Sequence, residues 1–370
     1  MERVSAVIFE GSAPLSPVEE MMVRVRRAAL LDNLEKLKRV EEVDSIYLVT
    51  NDPLLAEQAG ASGAVVSFNL IPPGRFHLGQ ALKKLVRERN LRKVFYLSGG
   101  GCPLISENEI RDIARLLLQR EQLIYTNNTQ SADMVAFTVT RDLDDADLPA
   151  VDNSLAWALR DHLGLEQELM PQSLGLLFDL DTPADILVLG AGPFAGPHTR
   201  AVLKELDLDY SRLERAKEVL KGQYQEVALI GRVGAPVMER LNAVLKLRLR
   251  VFSEERGMKA LGRLESGEVI SLLGLLIEHT GMERFFEYLA RVAQCAFIDS
   301  RVLMAHHRLW LNDRERFLSD LGLWQEISHP WLQRFTRAAV ECGIPVILGG
   351  HSLVSGSLWA LSAELAGLQA

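Results

Sequence analysis

Cysteine is scarce and scattered. The three in 370 residues, Cys102, Cys295 and Cys342, stand far apart, and no two form a CxxC pair. That spacing excludes a disulfide framework and a cysteine-built zinc module, and it fits a reducing cytoplasm. Long apolar runs are missing too. None approaches the roughly 18–20 residues a membrane span needs, and the apolar stretch in "MERVSAVIFEGSAP" is too short for a signal peptide. Nor is there a basic excess: 41 Lys and Arg stand against 49 Asp and Glu, for a net charge of −8. A protein that binds nucleic acid by neutralising phosphates needs the opposite balance. The expectation is a cytoplasmic protein with no membrane or nucleic-acid partner. Internal repeats and low-complexity tracts are absent as well.

What is present is an α/β alternation. "VSAVIFEG" (4–11), "SIYLVTNDP" (45–53), "AVVSFNL" (64–70) and "RKVFYLSGGG" (92–101) are β-rich apolar runs closed by turn residues. Between them, 18–40, the stretch from Pro53 and 76–90 carry apolar residues at helical spacing. "SENEIRDIARLLLQR" (106–120) opens on a capping box, Ser106 with Glu109. "QLIYTNN" (122–128) and "MVAFTVT" (134–140) read as further strands. Strands alternating with helices predict a mostly parallel sheet covered by helices.

Glycine and proline cluster in "GAGPFAGPH" (190–198), which reads as a domain boundary. A single charged helix is predicted over 199–224. The alternation then restarts at 226–236, 248–257, 295–301 and 344–352. The expected organisation is a first domain over 1–190, a linker helix within 191–225 and a smaller α/β domain over 226–370.

Three stretches of the first half carry a resemblance. They are "SAVIFEGSA" (5–13), "VFYLSGGGCPLIS" (94–106) and "LGLLFDLDTPADILVL" (174–189). They resemble the nucleotidyltransferase-like domain of the glycosyltransferase type A fold, with molybdenum-cofactor nucleotidyltransferases and phospholactate guanylyltransferases as the nearest families. The resemblance implies a nucleotide-diphospho-sugar-transferase-like sheet and a nucleotide or phosphorylated small-molecule ligand. The implied nucleotide-binding residues are Gly11, Ser12, Gly99, Gly100 and Gly101. It also implies magnesium, with Asp179 and Asp181 as the carboxylates to hold it. Asp181-Thr182-Pro183 also reads as a helix start, with Asp181 as the cap.

The departures from that pattern bear on activity. The family's first loop is glycine-rich, and its N–H groups cradle phosphate. Here the loop is "EGSAPLSPVEE", with two prolines that lack an N–H and no basic residue before Arg24. The family's metal-holding aspartate in the second stretch is replaced by glycine. Family-type nucleotidyl transfer is therefore expected to be lost or altered. Beside the glycines, in "TNNTQSAD", Asn127 and Asn128 offer groups for a base or sugar and Asp133 for a hydroxyl or a metal, or all three serve the loop's own backbone. His77 reads as a structural histidine or a ligand contact.

In the second half, polar residues gather where strands of a parallel sheet end, the place where open α/β sheets bind ligands. Arg232, Arg256 and Ser352 are the candidates for an anion, and Asp299, Arg301 and His351 for catalysis on a phosphorylated molecule. His306 and His307 are adjacent, so a helix would splay them about 100° apart and away from a shared metal. "GHSLVSG" lacks the second glycine of a nucleophile elbow, and no histidine follows Ser352. Three functions stay open: a nucleotide-binding protein with altered transfer, an enzyme working through its second domain, and a non-catalytic binding scaffold.

Overall fold

A computed structural model gives the fold. It describes residues 3–69, 75–129 and 131–367. The chain is mixed α/β, with a seven-stranded, mostly parallel sheet and a separate four-stranded parallel sheet. Two compact units contain them. The first comprises residues 1–14, 26–176 and 196–199, and the second comprises 15–25, 177–195 and 200–370. The long helix Pro17–Lys38 thus gives its first turns to one unit and the remainder to the other.

In the first unit the strands are β1 (Val4–Glu10), β2 (Val43–Thr50), β3 (Val65–Phe68), β4 (Lys93–Ser98), β5 (Ile124–Thr126), β6 (Met134–Thr138) and β7 (Gln167–Leu169). Their order across the sheet is β3-β2-β1-β4-β6-β5-β7. β1 is buried along its whole length. Successive side chains of a strand point to opposite faces, so both faces must be apolar when helices cover both. Ala6 and Ile8 accordingly pack on one face with Leu30, Leu34 and Leu37, while Val7 and Phe9 pack on the other with Leu78 and Leu82. Each fully buried leucine contributes on the order of 1.5–3 kcal/mol relative to exposure.

The predicted capping box is present. Ser106 Oγ accepts from the Glu109 N–H at 3.2 Å, and Glu109 accepts from the Ser106 N–H at 2.7 Å. His77 caps helix Leu78–Arg89, its Nδ1 accepting from the Gln80 N–H at 3.3 Å. The alternation misses one feature: β6 runs antiparallel to both β4 and β5. Helix Leu155–Leu163 and the three-residue β7 are too short to stand out in the periodicity. The end of the predicted strand 64–70, at Leu70, lies outside the described residues, as does Gln130.

In the second unit the strands are β8 (Glu226–Gly231), β9 (Arg248–Ser253), β10 (Cys295–Asp299) and β11 (Val346–Gly349), in the order β11-β10-β8-β9 and all parallel. Ile230, Ile298 and Leu348 share one face with Phe285, Phe286, Leu332 and Phe335. The predicted single helix over 199–224 is two helices, Pro197–Glu205 and Ser211–Lys221. The break falls at "LDLDY", where Asp209 accepts the Ser211 N–H at 2.8 Å and so offers the backbone a turn in place of a helical bond.

Candidate functional site

Parallel sheets place their ligands where the strand order reverses, just beyond the carboxyl ends. In the first sheet that point lies between β1 and β4. Register fixes which residues meet there. Phe9 is opposite Ser98, and Glu10 is opposite Thr50 of β2. A cleft of about 230 Å³ opens at this place, with Glu10, Asn51, Tyr96, Ser98, Gly99 and Asp152 among its lining.

Glu10 dominates the chemistry. The residue is only 6% exposed. Its Oε2 accepts from Arg26 Nη2 at 2.8 Å. The side chain lies directly over Gly99: a methyl group there would overlap the carboxylate and approach Glu10 Cβ to 2.5 Å. The neighbouring glycines are crowded in the same way. A methyl on Gly100 would stand 3.0 Å from the Arg26 guanidinium, and one on Gly101 would stand 2.9 Å from Asp133 Cβ and overlap Ser98 Oγ. The triple glycine therefore makes room for the protein's own Glu10, Arg26, Ser98 and Asp133. The turn continues through Cys102, which holds φ = 50°.

The Tyr96 hydroxyl hydrogen-bonds to Asp152. Burial pushes its pKa well up, and the charges of Asp152, Asp133 and Glu10 push it further. The cleft is thus acidic, with Arg26 its one basic lining residue among the described residues.

The first loop is already tied to the protein. Asn51 Oδ1 accepts from the Ser12 N–H at 3.0 Å, and Asn51 Nδ2 donates to the Ser12 carbonyl at 2.9 Å. Gly11 packs against the same Asn51. Farther along, Glu19 accepts the Leu15 N–H at 2.6 Å. These N–H groups already have acceptors, and Pro14 and Pro17 have none to offer.

The other amide candidates differ in their placement. Asn127 points inward, its Nδ2 donating to the Leu176 carbonyl at 2.9 Å and its Oδ1 accepting from the Met134 N–H at 3.2 Å. With donor and acceptor both engaged and 6% exposure, it ties the loop down. The Asn128 carbonyl accepts from Gln167 at 3.3 Å, and the Asp133 carbonyl accepts the Ser98 N–H at 2.8 Å. Glu10 and Arg26 were not singled out from the sequence. The signal was there, since an acid at the very end of an apolar strand stands opposite a glycine, but only the register reveals the pairing.

In the second sheet the order reverses between β8 and β10, and a similar device fills that point. Asp299 is fully buried at the end of β10. It accepts from Arg232 Nε at 2.6 Å and Nη2 at 3.1 Å. Gly231 of β8, at φ = 108°, leaves space for it; a methyl there would stand 2.5 Å from Asp299 Cβ. Burial alone would raise the Asp299 pKa, but the charge and hydrogen bonds of Arg232 outweigh it and hold the carboxyl below its ordinary value. Arg301 makes its own bidentate pair with buried Asp320, at 2.8 and 2.6 Å. The structure brings Asp299, Arg232 and His351 into one electrostatic neighbourhood but turns Arg301 toward Asp320. Asp299 and Arg301 are each committed to an ion pair, and Asp299 also accepts the Arg301 N–H at 3.3 Å at the start of helix Ser300–His306.

His351 is partly buried. Burial, together with the nearby Arg232, brings its pKa down to about 4, so the ring is neutral at physiological pH. Arg256 is exposed and lies beside Gly234 at the start of helix Ala235–Val244.

The "DLDTPAD" stretch serves a buried hub. The cap of helix Pro183–Ala191 is Thr182, not Asp181, because Thr182 is the residue whose N–H and hydroxyl both donate to Asp185, at 2.8 Å each. Asp181 is exposed and donates its N–H to the same carboxylate at 3.2 Å. Ser352 Oγ, at 2.5 Å, and Ser357 Oγ, at 2.7 Å, complete five donors around fully buried Asp185. Ser352 is thereby a structural donor at 2% exposure. Burial raises the Asp185 pKa to about 7 against the pull of those hydroxyls. Asp179 is partly buried and accepts the Leu180 N–H at 2.8 Å. Asp179 and Asp181 take part in no cluster of three metal-ligating side chains among the described residues.

One such cluster does exist: Glu278, His306 and His307. The two histidines converge, contrary to the helical expectation, because His307 lies at the helix end with φ −80° and ψ 6°. Glu278 Oε1 stands 3.3 Å from His306 Nε2 and 3.5 Å from His307 Nδ1. The chemistry of His306 opposes a metal, however. Its Nδ1 accepts the Ser271 N–H at 3.2 Å, so the neutral ring carries its proton on Nε2. A metal-binding histidine has the reverse arrangement, donating from its other nitrogen.

No protein-family model matches the chain, and no curated protein matches it. Among solved structures it is similar to a cytidylyltransferase from Leptospira borgpetersenii, at 17% identity over 55% of this chain and 95% of that one, with a TM-score of 0.40. It is also similar to a 4-diphosphocytidyl-2C-methyl-D-erythritol synthase from Anaerococcus prevotii, at 12% identity over 50% of this chain and 94% of that one, with a TM-score of 0.36. A CMP:2-keto-3-deoxy-manno-octonic acid synthetase complexed with CTP aligns at 12% identity over 46% of this chain and 89% of that one, with a TM-score of 0.32. At these identities and scores the likenesses carry no inference about activity.

Proposed function

We propose that this protein binds a nucleotide or phosphorylated small molecule in the cleft of its first unit, and that family-type nucleotidyl transfer is lost or altered. The observation that carries the reading is the cleft's position and lining together. It lies at the reversal point of a mostly parallel sheet, where such sheets bind ligands. Its walls offer aromatic surface, amides and hydroxyls for a base or sugar. The same place holds a buried carboxylate, and the N–H group of Ser12 in the neighbouring loop already has an acceptor. A triphosphate would meet negative charge and few donors, which opposes the family's phosphate cradle.

The test is calorimetric titration with nucleoside mono-, di- and triphosphates, with and without magnesium, alongside a pyrophosphate-release assay. Saturable binding without release supports the proposal. Robust magnesium-dependent pyrophosphate release would show that transfer is intact, and the absence of any nucleotide binding would remove the reading.

A further inference from the structure

We propose that the open edge of β9 is an interface at which two copies of this chain pair. The two β9 strands run antiparallel with Val251 on the two-fold axis, and they join the second sheets of both copies into one.

The backbone defines the edge. β9 ends the second sheet on one side, next to β8. The Arg248 N–H donates to the Gln225 carbonyl at 2.9 Å, and the Glu254 N–H to the Gly231 carbonyl at 3.0 Å. Strand backbone groups alternate in direction, so Arg248, Arg250, Phe252 and Glu254 turn theirs toward β8. Leu249, Val251 and Ser253 turn theirs outward, and no bond to those backbone groups occurs among the described residues. Such a row is a template for another strand, and native edges are often blunted by charge. Here the charges are balanced within the unit, because Glu226 stands 3.6 Å from Arg248 Nη1 and 3.2 Å from Arg250 Nε.

The surface beside the edge is apolar. Arg250 Nε donates to the Val292 carbonyl at 2.7 Å, and Glu254 accepts the Leu272 N–H at 2.9 Å. One end each of helices Met282–Val292 and Leu272–Thr280 therefore lies beside the strand. Phe252, Leu272 and Val292 are exposed there, and so are Leu275 and Tyr288 one turn along the same helices. A two-fold axis perpendicular to the sheet keeps these helices of both copies on one side of the joined sheet.

The strand is also complementary to itself, which is what names the occupant. Outward-facing residues must meet outward-facing residues, so the longest self-pairings centre on Arg250 or on Val251. Centring on Arg250 sets that arginine against its own copy, and like charges directly opposite are unfavourable. Centring on Val251 sets Leu249 against Ser253, Arg250 against the Phe252 ring, and Arg248 against Glu254 of the second copy. A single patch thus serves both sides, as a two-fold interface requires.

The full chain is followed by sedimentation velocity over a wide range of concentrations. A reversible monomer–dimer equilibrium is expected. Val251→Pro removes an outward N–H and no bond to β8, and should weaken the dimer at least about tenfold while circular dichroism stays unchanged. Under an added oxidant, Val251→Cys should give a covalent dimer and Arg250→Cys should not, since only residue 251 meets its own copy. Wild type controls for the native Cys102, Cys295 and Cys342. A wild-type monomer at every concentration overturns the proposal and leaves this edge to a different chain. A dimer indifferent to Val251→Pro and not cross-linked through residue 251 overturns it as well. Cross-linking through Arg250→Cys alone overturns the register. Should Val251→Pro fail to fold, the two cysteine variants decide.

Discussion

Replacing Asp185 tests the polar core of the second unit in a way the geometry makes quantitative. Five donors converge on this carboxylate, and two of them are backbone N–H groups, of Asp181 and Thr182, that cannot turn elsewhere. Each buried donor left without an acceptor costs about 1–3 kcal/mol. The hydroxyls of Thr182, Ser352 and Ser357 can rotate, so Asp185→Ala is expected to destabilise by about 3–5 kcal/mol. Asp185→Asn behaves differently. An amide oxygen in the Oδ2 position keeps four of the donors, and the NH2 can donate to Ser357, whose hydroxyl then accepts.

The two variants also separate by pH. The folded pKa is raised from 3.8 to about 7, so the folded state holds a proton that the unfolded state has lost. Stability from this group is complete below pH 4 and falls as the pH rises to 7. The rise amounts to about 4 kcal/mol at 1.36 kcal/mol per pKa unit. Asp185→Asn removes the dependence, and its stability relative to wild type should climb between pH 4 and pH 7. Urea unfolding followed by tryptophan emission is the assay, since Trp310, Trp324, Trp331 and Trp359 all lie in the second unit. An Asp185→Ala protein within 1 kcal/mol of wild type, or an Asp185→Asn protein with the wild-type pH profile, would refute the reasoning.

Three further outcomes follow from the same structure. Gly99→Ala should destabilise by about 1–3 kcal/mol by forcing Glu10 off Arg26, and Glu10→Ala in the same chain should recover most of that loss in a double-mutant cycle. Arg232→Ala should cost about 3–5 kcal/mol, because it strands a fully buried Asp299, and Arg232→Ala with Asp299→Ala together should cost less than Arg232→Ala alone. His307 has its pKa lowered by burial and by His306. The unfolded chain therefore takes up the proton first, and stability from this group falls as the pH drops through about 6.5. The His307 ring centre lies 4.7 Å from that of Trp331, and imidazole NMR titration should place His307 below the ordinary histidine value; an ordinary or raised value would count against that burial.

Much of the scaffold is legible in the sequence because it obeys local rules. The apolar runs that become β1, β4, β8, β10 and β11 are buried on both faces, so they read as continuous hydrophobic stretches. The Ser106–Glu109 box is a three-residue pattern and needs no tertiary information. Strand direction is different. Whether β6 runs parallel or antiparallel depends on how the chain returns, which no local pattern encodes. The sites were less legible for the same reason. Gly99, Gly100 and Gly101 look like a ligand turn in sequence, but what they accommodate comes from residues 10, 26, 98 and 133, and only the fold brings these together. Asp299 and Arg301 look like a free acid and a free cation. Their partners, Arg232 and Asp320, lie 67 and 19 residues away. Thr182 rather than Asp181 caps its helix because Asp185 reaches back to it, a distinction of one residue that follows from side-chain reach.

The central claim is that ligand binding occurs at the carboxyl ends of β1 and β4. A crystal structure of the full chain soaked with a ribonucleotide and magnesium tests it most directly. The account predicts density for the ligand in that cleft, with its phosphates away from Ser12. Density for phosphates cradled by the Gly11–Ser16 backbone, or a ligand seated only at the ends of β8 and β10, would contradict it.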